Sequence, residues 1–252
     1  MLPIERKNEI LSKLMIDGKV IVSDLAAFYS VTEETIRRDL EKLEREGFAK
    51  KTYGGAVKSD NMTVELPYTV RKLTNVSGKK YIAEKIGNLI QDGDSILLDA
   101  STTALFTVKS IFHKHNLTLI TNSVEILLDL PVSNDWRIIS TGGTYRQDSM
   151  SFLSSSATSA ISNYHADIAV MSCKGLDIFK GVTDTREHTA DFKKSFIKNA
   201  NKVILAVDST KFDKISFVKI CDIDDIDVVV TDAIPSDECI KVFEEKNIEL
   251  IY

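Results

Sequence analysis

From Val76 to Tyr252 the chain returns again and again to one pattern: a short apolar run, a polar break, then a stretch with apolar positions at helical spacing. Ser95–Leu98, Leu117–Thr121, Arg137–Ser140, Ile168–Ser172, Val203–Val207, Val228–Thr231 and Ile248–Ile251 read as strands. Lys80–Ile90, Thr102–His113, Ser123–Leu130, Ala157–Tyr164, Thr189–Asn199 and Ser236–Lys246 read as helices between them. Strands that are apolar throughout, rather than on alternate residues, need cover on both faces. Crossover helices supply it, so the pattern predicts an α/β fold with a mostly parallel sheet.

Ligands of such sheets sit beyond the carboxyl ends of the strands, so the residues leaving each strand carry the information. Asp99-Ala100-Ser101-Thr102-Thr103 follows the first strand and opens a helix, where hydroxyls and free backbone N–H groups suit a phosphate. Ser101 or Thr102 also suits a plain helix cap. Thr121-Asn122-Ser123 leaves the next strand, and Thr141-Gly142-Gly143-Thr144 the one after, its glycines permitting close backbone approach. Later exits carry Ser172-Cys173-Lys174, the loop Gly181–Glu187 with Asp184, and Asp208-Ser209-Thr210-Lys211. Lys174 is either a phosphate contact or a surface lysine. Lys193 and Lys194, on a helix, read as solvated.

The N-terminal part has another grammar. Thr32–Gly47, TEETIRRDLEKLEREG, reads as one helix: Thr32 caps it, Glu33 and Glu34 suit the positive end of its dipole, and Gly47 stops it. Ile36, Leu40 and Leu43 form its apolar stripe. Glu34, Arg38, Glu41 and Arg45 lie opposite at pairing distance, with Thr35, Arg37 and Lys42 on the flanks. Alone it is an ordinary surface helix. Upstream, Val22–Tyr29 reads as a short helix joined through Ser30-Val31, a helix-turn-helix arrangement. Downstream, Phe48–Val57 reads as a two-strand ribbon with Lys50, Lys51, Tyr53 and Gly54-Gly55. A first helix over Ile4–Met15 would face its small core with Ile4, Ile10, Leu11 and Leu14. Helix, turn, helix and basic ribbon is how a winged helix offers one helix to a major groove and a wing to the backbone.

The run VTEETIRRDLEKLEREGFAKKTYGGAV closely resembles the N-terminal signature of DeoR-type bacterial transcription regulators. LDASTTA, ITNS, STGGT, KGLD, GVTDTREHTADFKKSF and VDSTKF then follow in the order of that family's sugar-phosphate sensor domain, so the resemblance covers essentially the whole chain. It implies a small winged helix-turn-helix domain (1–57), a linker (58–75) and a Rossmann-like, isomerase-type α/β sensor domain (76–252). In the linker, Glu65, Pro67, Tyr68 and Arg71 resemble a recurrent element of the family, read either as a solvated connector or as a segment that transmits ligand state. By resemblance, Thr32, Thr35, Arg37, Arg38, Lys42, Lys50, Lys51 and Tyr53 would contact DNA. Asp99, Ser101, Thr102, Thr103, Asn122, Gly142, Gly143, Lys174, Asp184, Glu187 and Lys211 would hold a phosphorylated sugar or polyol.

The sensor domain of that family also resembles ribose-5-phosphate isomerase, so a sugar-phosphate isomerase fused to a DNA-binding domain is the alternative. An enediol mechanism needs a carboxylate to move the proton between carbons. Where the isomerase has an Asp-Gly-Ala-Asp run, this chain has Met171, Ser172, Cys173 and Lys174, and a Lys-Gly-Gly-Gly loop is lacking. Glu187 aligns with the enzyme's glutamate, but without its partners. The expectation is a binding site and no enzyme. Many regulators of the family carry Gly-Pro-x-Ala after the Gly-Gly loop; Ser154-Ser155-Ser156-Ala157 stands here instead, so either its hydroxyls replace backbone donors in holding phosphate or the ligand differs.

The net charge of −5 divides into +1 over residues 1–58 and −6 over the rest, so charge placement, not the total, points to nucleic acid. No apolar run approaches about 18 residues, and MLPIERKNEI has charges where a signal peptide needs an apolar stretch, which predicts a cytoplasmic protein without a membrane span. Cys173, Cys221 and Cys239 lack CxxC spacing and read as buried thiols. His113, His115, His165 and His188 show no metalloenzyme spacing, so neither metal nor cofactor is expected. The expected partners are double-stranded operator DNA and the phosphorylated effector, with a homodimer or homotetramer matching the two-fold symmetry of an operator.

Overall fold

A computed structural model describes residues 1–59, 66–131 and 135–252, and the chain divides into two compact units, Met1–Val76 and Ser77–Tyr252. Glu65 of the linker element lies outside the described residues.

In the first unit α1 (Pro3–Asp17) begins with proline at its first turn and Glu5 reaching back to the Leu2 N–H at 2.9 Å. It ends on Gly18, whose φ of 73° is the left-handed cap that glycine tolerates. β1 (Lys19–Ile21), α2 (Val22–Tyr29), α3 (Glu33–Arg45), β2 (Ala49–Thr52), β3 (Gly55–Lys58) and α4 (Tyr68–Leu73) follow. The ribbon has a third strand: β1 pairs antiparallel with β3 in the order β1-β3-β2. Three residues behind a glycine give too short a pattern to read as a strand. Its presence explains Gly55, where an added Cβ would lie 1.9 Å from the Val20 carbonyl oxygen.

Ile10, Leu11 and Leu14 of α1 are fully buried with Ile36, Leu40 and Leu43 of α3, but Ile4 is 56% exposed and takes no part in the core. The stretch read as an aperiodic connector contains α4, and its Val70 is buried in this same core. Beneath the apolar contacts lies one ion pair: Arg6 Nε donates to Asp39 Oδ2 at 2.6 Å, with both residues buried. It pins α1 to the inner face of α3, and neither charge has bulk water to fall back on.

The second unit runs α5 (Val76–Leu89), β4 (Ser95–Leu98), α6 (Thr102–Ser110), β5 (Thr118–Thr121), α7 (Val124–Asp129), β6 (Arg137–Ser140), β7 (Tyr145–Arg146), β8 (Ser151–Phe152), α8 (Ser155–Ile161) and β9 (Ala166–Met171). It continues with β10 (Gly175–Asp177), β11 (Gly181–Asp184), α9 (Glu187–Lys198), β12 (Ala200–Ala206), β13 (Val218–Cys221), β14 (Val228–Val230), α10 (Asp237–Glu245) and β15 (Glu249–Ile251). Seven strands form one wholly parallel sheet in the order β15-β14-β12-β9-β4-β5-β6. From β4 the chain first builds outward through β5 and β6, then returns to lay β9 on the other side of β4. The order reverses between β4 and β9, and such a point is where open α/β sheets leave a crevice.

Two smaller elements escaped the sequence reading. β10, β11 and β13 form an antiparallel sheet, and β7 and β8 a hairpin over residues 145–152. The strands of both are short, and the long polar connections hide their pattern. Cys173, Cys221 and Cys239 are free and buried, and burial pushes the Cys173 and Cys221 thiols up to about 12.

Asp39→Ala removes one half of the buried pair and strands the other. The expected cost is about 3 kcal/mol, read as an earlier urea or thermal transition of the first unit. An unchanged transition would mean that Arg6 and Asp39 do not hold α1 against α3.

Candidate functional site

The face that would read DNA lies on α3 and the β2–β3 turn. Thr32 acts mainly as a cap: its hydroxyl oxygen accepts from the Thr35 N–H at 3.3 Å and lies 2.9 Å from the Thr35 hydroxyl. Arg37 and Arg38 are exposed, and each is paired one turn back, Arg37 to Glu33 at 2.6 Å and Arg38 to Glu34 at 3.4 Å. Lys51 bridges wing and helix, donating its ammonium to Glu41 at 2.9 Å and its backbone N–H to Glu44 at 2.9 Å. The Lys51 hydrogen bond and charge hold the Glu41 carboxyl below its usual range. Lys42 and Lys50 are exposed, and Tyr53, at the tip of the β2–β3 turn, is fully so.

The second site is at the carboxyl edge of the parallel sheet. There the structure assembles a cluster whose centre sequence reasoning missed. Lys193, on α9, is 6% exposed, not solvated as its sequence context suggested. Its ammonium donates to the Ser172 carbonyl at 2.7 Å and to Asp184 Oδ2 at 2.7 Å, and stands 3.4 Å from Asp99 Oδ2. Asp99 in turn accepts from the Ser101 N–H and, across the switch point, from the Ser172 N–H, both at 3.0 Å. Asp184 Oδ1 accepts from the Thr185 N–H at 2.7 Å. One cation thus joins the exits of β4 and β9 to the end of β11. A signal did exist: Lys193 falls between Ala190 and Phe196 on the buried side of α9, where a solvated lysine has no place.

Burial raises the Asp184 pKa, but the charges of Lys193 and Lys174 outweigh it, and the carboxyl is held below its ordinary range. Burial likewise pulls Lys193 down, and the two aspartates more than restore it, so it stays protonated. Asp184 therefore acts as a fixed acceptor.

Around this centre the other exits fall into place. Ser101 caps α6 through the Ala104 N–H at 3.0 Å, and Thr102 and Thr103 are buried on its first turn. Asn122, 2% exposed, donates from Nδ2 to the Phe152 carbonyl at 3.0 Å, which straps the β7–β8 hairpin to the exit of β5. Its Oδ1 is buried without a hydrogen-bond partner. Gly142 and Gly143 have φ of 61° and 112°, and a Cβ on Gly143 would meet Ser154 Oγ at 2.7 Å. Ser154 is therefore a packing and capping residue: it accepts from the Ala157 N–H at 3.2 Å and pairs with Ser156. Lys174 is half-buried beside Asp184, and its N–H donates to the Thr183 carbonyl. Lys211 lies close enough to bear on the Cys173 thiol. Glu187 is exposed at the start of α9, beside Arg186, which pairs with Asp148 of the hairpin turn. Asp99, Asp184 and Lys174 are thus gathered around Lys193, while Asn122 and the two glycines line the β5 and β6 exits.

Two family descriptions match the chain: a DeoR-like helix-turn-helix domain over residues 6–61 and a DeoR C-terminal sensor domain over residues 74–233. This chain belongs to the DeoR family of transcriptional regulators. The HTH-type transcriptional regulator YulB of Bacillus subtilis (strain 168) is 37% identical over 99% of this chain and 96% of its own length. The glycerol-3-phosphate regulon repressor of Escherichia coli (strain K12) is 29% identical over 98% and 97%. Among solved structures, the ribose 5-phosphate isomerase A of Methanocaldococcus jannaschii is similar at a TM-score of 0.40 and 17% identity over 55% of each chain. Among the described residues of this DeoR-family chain no helix is long and apolar enough to cross a membrane, and no group of His, Cys, Asp and Glu could hold a metal ion.

Lys193→Met leaves Asp99 and Asp184 buried without their cation, at an expected cost of about 3–5 kcal/mol. The pH dependence should also change sign. In the wild type the lowered Asp184 pKa contributes stability that is present above about pH 3.8, its ordinary value, and lost as pH falls through the lower folded value. In the variant burial raises the carboxyl pKa, so the protein should gain stability as pH is lowered from 8 to 5. Urea titrations at both pH values check this, and a wild-type-like profile would remove Lys193 from the centre of the site.

Proposed function

We propose that this chain is a cytoplasmic repressor of a sugar or polyol catabolic operon, whose affinity for double-stranded operator DNA falls when a phosphorylated sugar or polyol occupies the sensor domain. The observation that carries the reading is that the polar exits of β4, β5, β6 and β9 gather along the carboxyl edge of one parallel sheet, on and beside the switch point between β4 and β9, with Asn122 Oδ1 buried there without a hydrogen-bond partner. The phosphate would take the Ser101 hydroxyl with the first-turn backbone N–H groups and hydroxyls of Thr102 and Thr103, or the backbone N–H groups of Gly142 and Gly143, with Lys174 and Lys211 adding charge. Asn122 Oδ1 would accept from a ligand hydroxyl. A relative that represses a glycerol-3-phosphate regulon supports the same class of regulator.

The site is a receptor and not an isomerase centre. A proton-transferring carboxylate has to change protonation in the working pH range, and Asp184 is held ionised by Lys193 with both oxygens occupied. Asp99 has its oxygens on the Ser101 and Ser172 N–H groups. Glu187 is exposed at the start of α9.

On the DNA side, Thr35, Arg37 and Arg38 would enter the major groove, Thr32 and Lys42 would flank them, and Lys50, Lys51 and Tyr53 of the wing would approach the backbone. A homodimer or homotetramer would place two such heads on two half-sites. The effector works by favouring an arrangement in which the heads no longer match the half-site spacing, which requires a different affinity for the two arrangements.

A melting-temperature screen against hexose, pentose and polyol phosphates tests the sensor reading. One phosphorylated compound should raise Tm in a concentration-dependent way, and its unphosphorylated parent should not. The same compound should be neither consumed nor isomerised over hours. Absence of any shift across the set, or measurable turnover, would overturn the assignment. Arg38→Ala should weaken operator binding by about 1–3 kcal/mol while leaving that Tm shift intact; equal operator affinity in a mobility-shift titration would take Arg38 out of the interface.

A further inference from the structure

From Thr32 to Thr52 the chain carries six carboxylates and six cations. Two of the carboxylates serve the fold: Asp39 is buried on Arg6, and Glu46 takes Lys7 of α1 at 2.6 Å. Three others stand on the basic groups that would meet DNA: Glu33 on Arg37, Glu34 on Arg38 and Glu41 on Lys51. The helix dipole explains acidic residues in the first turn of α3. It does not require each of them to sit four residues before an arginine, the spacing and orientation that favour an ion pair.

Phosphate attraction is long-range and indifferent to sequence, whereas contacts to base edges act only at the right bases. A Glu–Arg pair presents no net charge to a polyanion. An arginine that leaves its glutamate for a phosphate exposes a carboxylate to the same polyanion, and that opposition is felt on every sequence. It is offset only where the arginine finds a guanine edge or the freed carboxylate finds a cytosine amino group. We propose that Glu33 and Glu34 are specificity-determining residues that hold Arg37 and Arg38 back from non-cognate DNA. The reading unit then discriminates by weakening wrong complexes as well as by strengthening right ones. A balance of only +1 over residues 1–58 is in keeping with this.

The inference rests on α3 as the reading helix, and its test separates the two ideas. Full-length wild type, E33Q, E34Q, the double variant and R37A are titrated by fluorescence anisotropy between 50 and 200 mM KCl, salt concentrations over which phosphate-driven binding changes by orders of magnitude. One probe is a duplex enriched by the wild type from a random library; the other is its scrambled counterpart. The double variant should bind the scrambled duplex about tenfold tighter, with a log–log salt slope steeper by about one to two, and gain less on the enriched duplex. The ratio between the two probes therefore narrows. An equal gain on both duplexes would reduce the carboxylates to general repulsion and overturn the proposal. Weakened binding to the enriched duplex with the scrambled one unchanged would make them direct base readers and overturn it as well. If R37A binds both duplexes like the wild type, α3 is not the reading helix and the underlying assignment fails instead.

Discussion

The sensor unit depends on one ammonium group. Lys193 is the point at which β4, β9, β11 and α9 meet, and no apolar side chain could replace it, because the Ser172 carbonyl and two carboxylates converge there. A buried cation between two buried anions gains little net stability over a well-packed apolar core. Losing one member is what costs, since the remainder is left charged and dry. That asymmetry fixes geometry: the loop after β4 and the loop after β9 cannot drift apart without breaking the Asp99–Ser172 hydrogen bond and loosening Lys193. These are the two loops that flank the switch point, so the same contact that closes the fold fixes their separation.

The first unit repeats the device on a smaller scale. Its core draws on α1, α2, α3 and three strands, and such a small domain is marginal. Arg6–Asp39 orients the inner face of α3, and Val70 of α4 fills the core from beyond the wing. The reading head is therefore larger than its helix-turn-helix and ribbon. α4 lies in the stretch that leads toward the sensor domain, so a change in that stretch would be felt first in the packing around Val70. A buried valine has few alternative positions in a close-packed core.

What the sequence made legible follows from period and chemistry. The seven strands of the parallel sheet were readable because each is a continuous apolar run with helices between. The polar exits were readable because the carboxyl edge of such a sheet is where polar residues stand out against apolar strands. β1, β7, β8, β10, β11 and β13 were not readable, since two to four residues cannot display a period of two. Lys193 was misread for a different reason: composition favours a solvated lysine, and only the three-dimensional convergence of Asp99 and Asp184 from sequence positions far apart makes a buried one tolerable. The Ser154 oxygen caps α8 and packs against Gly143, a role that the serine run by itself does not reveal. Ile4 failed because the first turn of α1 projects past the small core that its later turns cover.

On the face that would read DNA, three of the charges that a partner would engage are already engaged within the chain. Arg37, Arg38 and Lys51 hold glutamates, while Lys42 and Lys50 stand exposed. Binding through the paired groups is then an exchange of partners and not a gain of unpaired charge, so their net free energy is a small difference between comparable terms. For a regulator this is useful. A switch between mostly bound and mostly free states needs a differential of only about 5 kcal/mol, and an effector of a few polar contacts can supply a difference of that size only if the DNA complex is not held by a much larger electrostatic term. The paired head keeps operator affinity within reach of what the sensor can change.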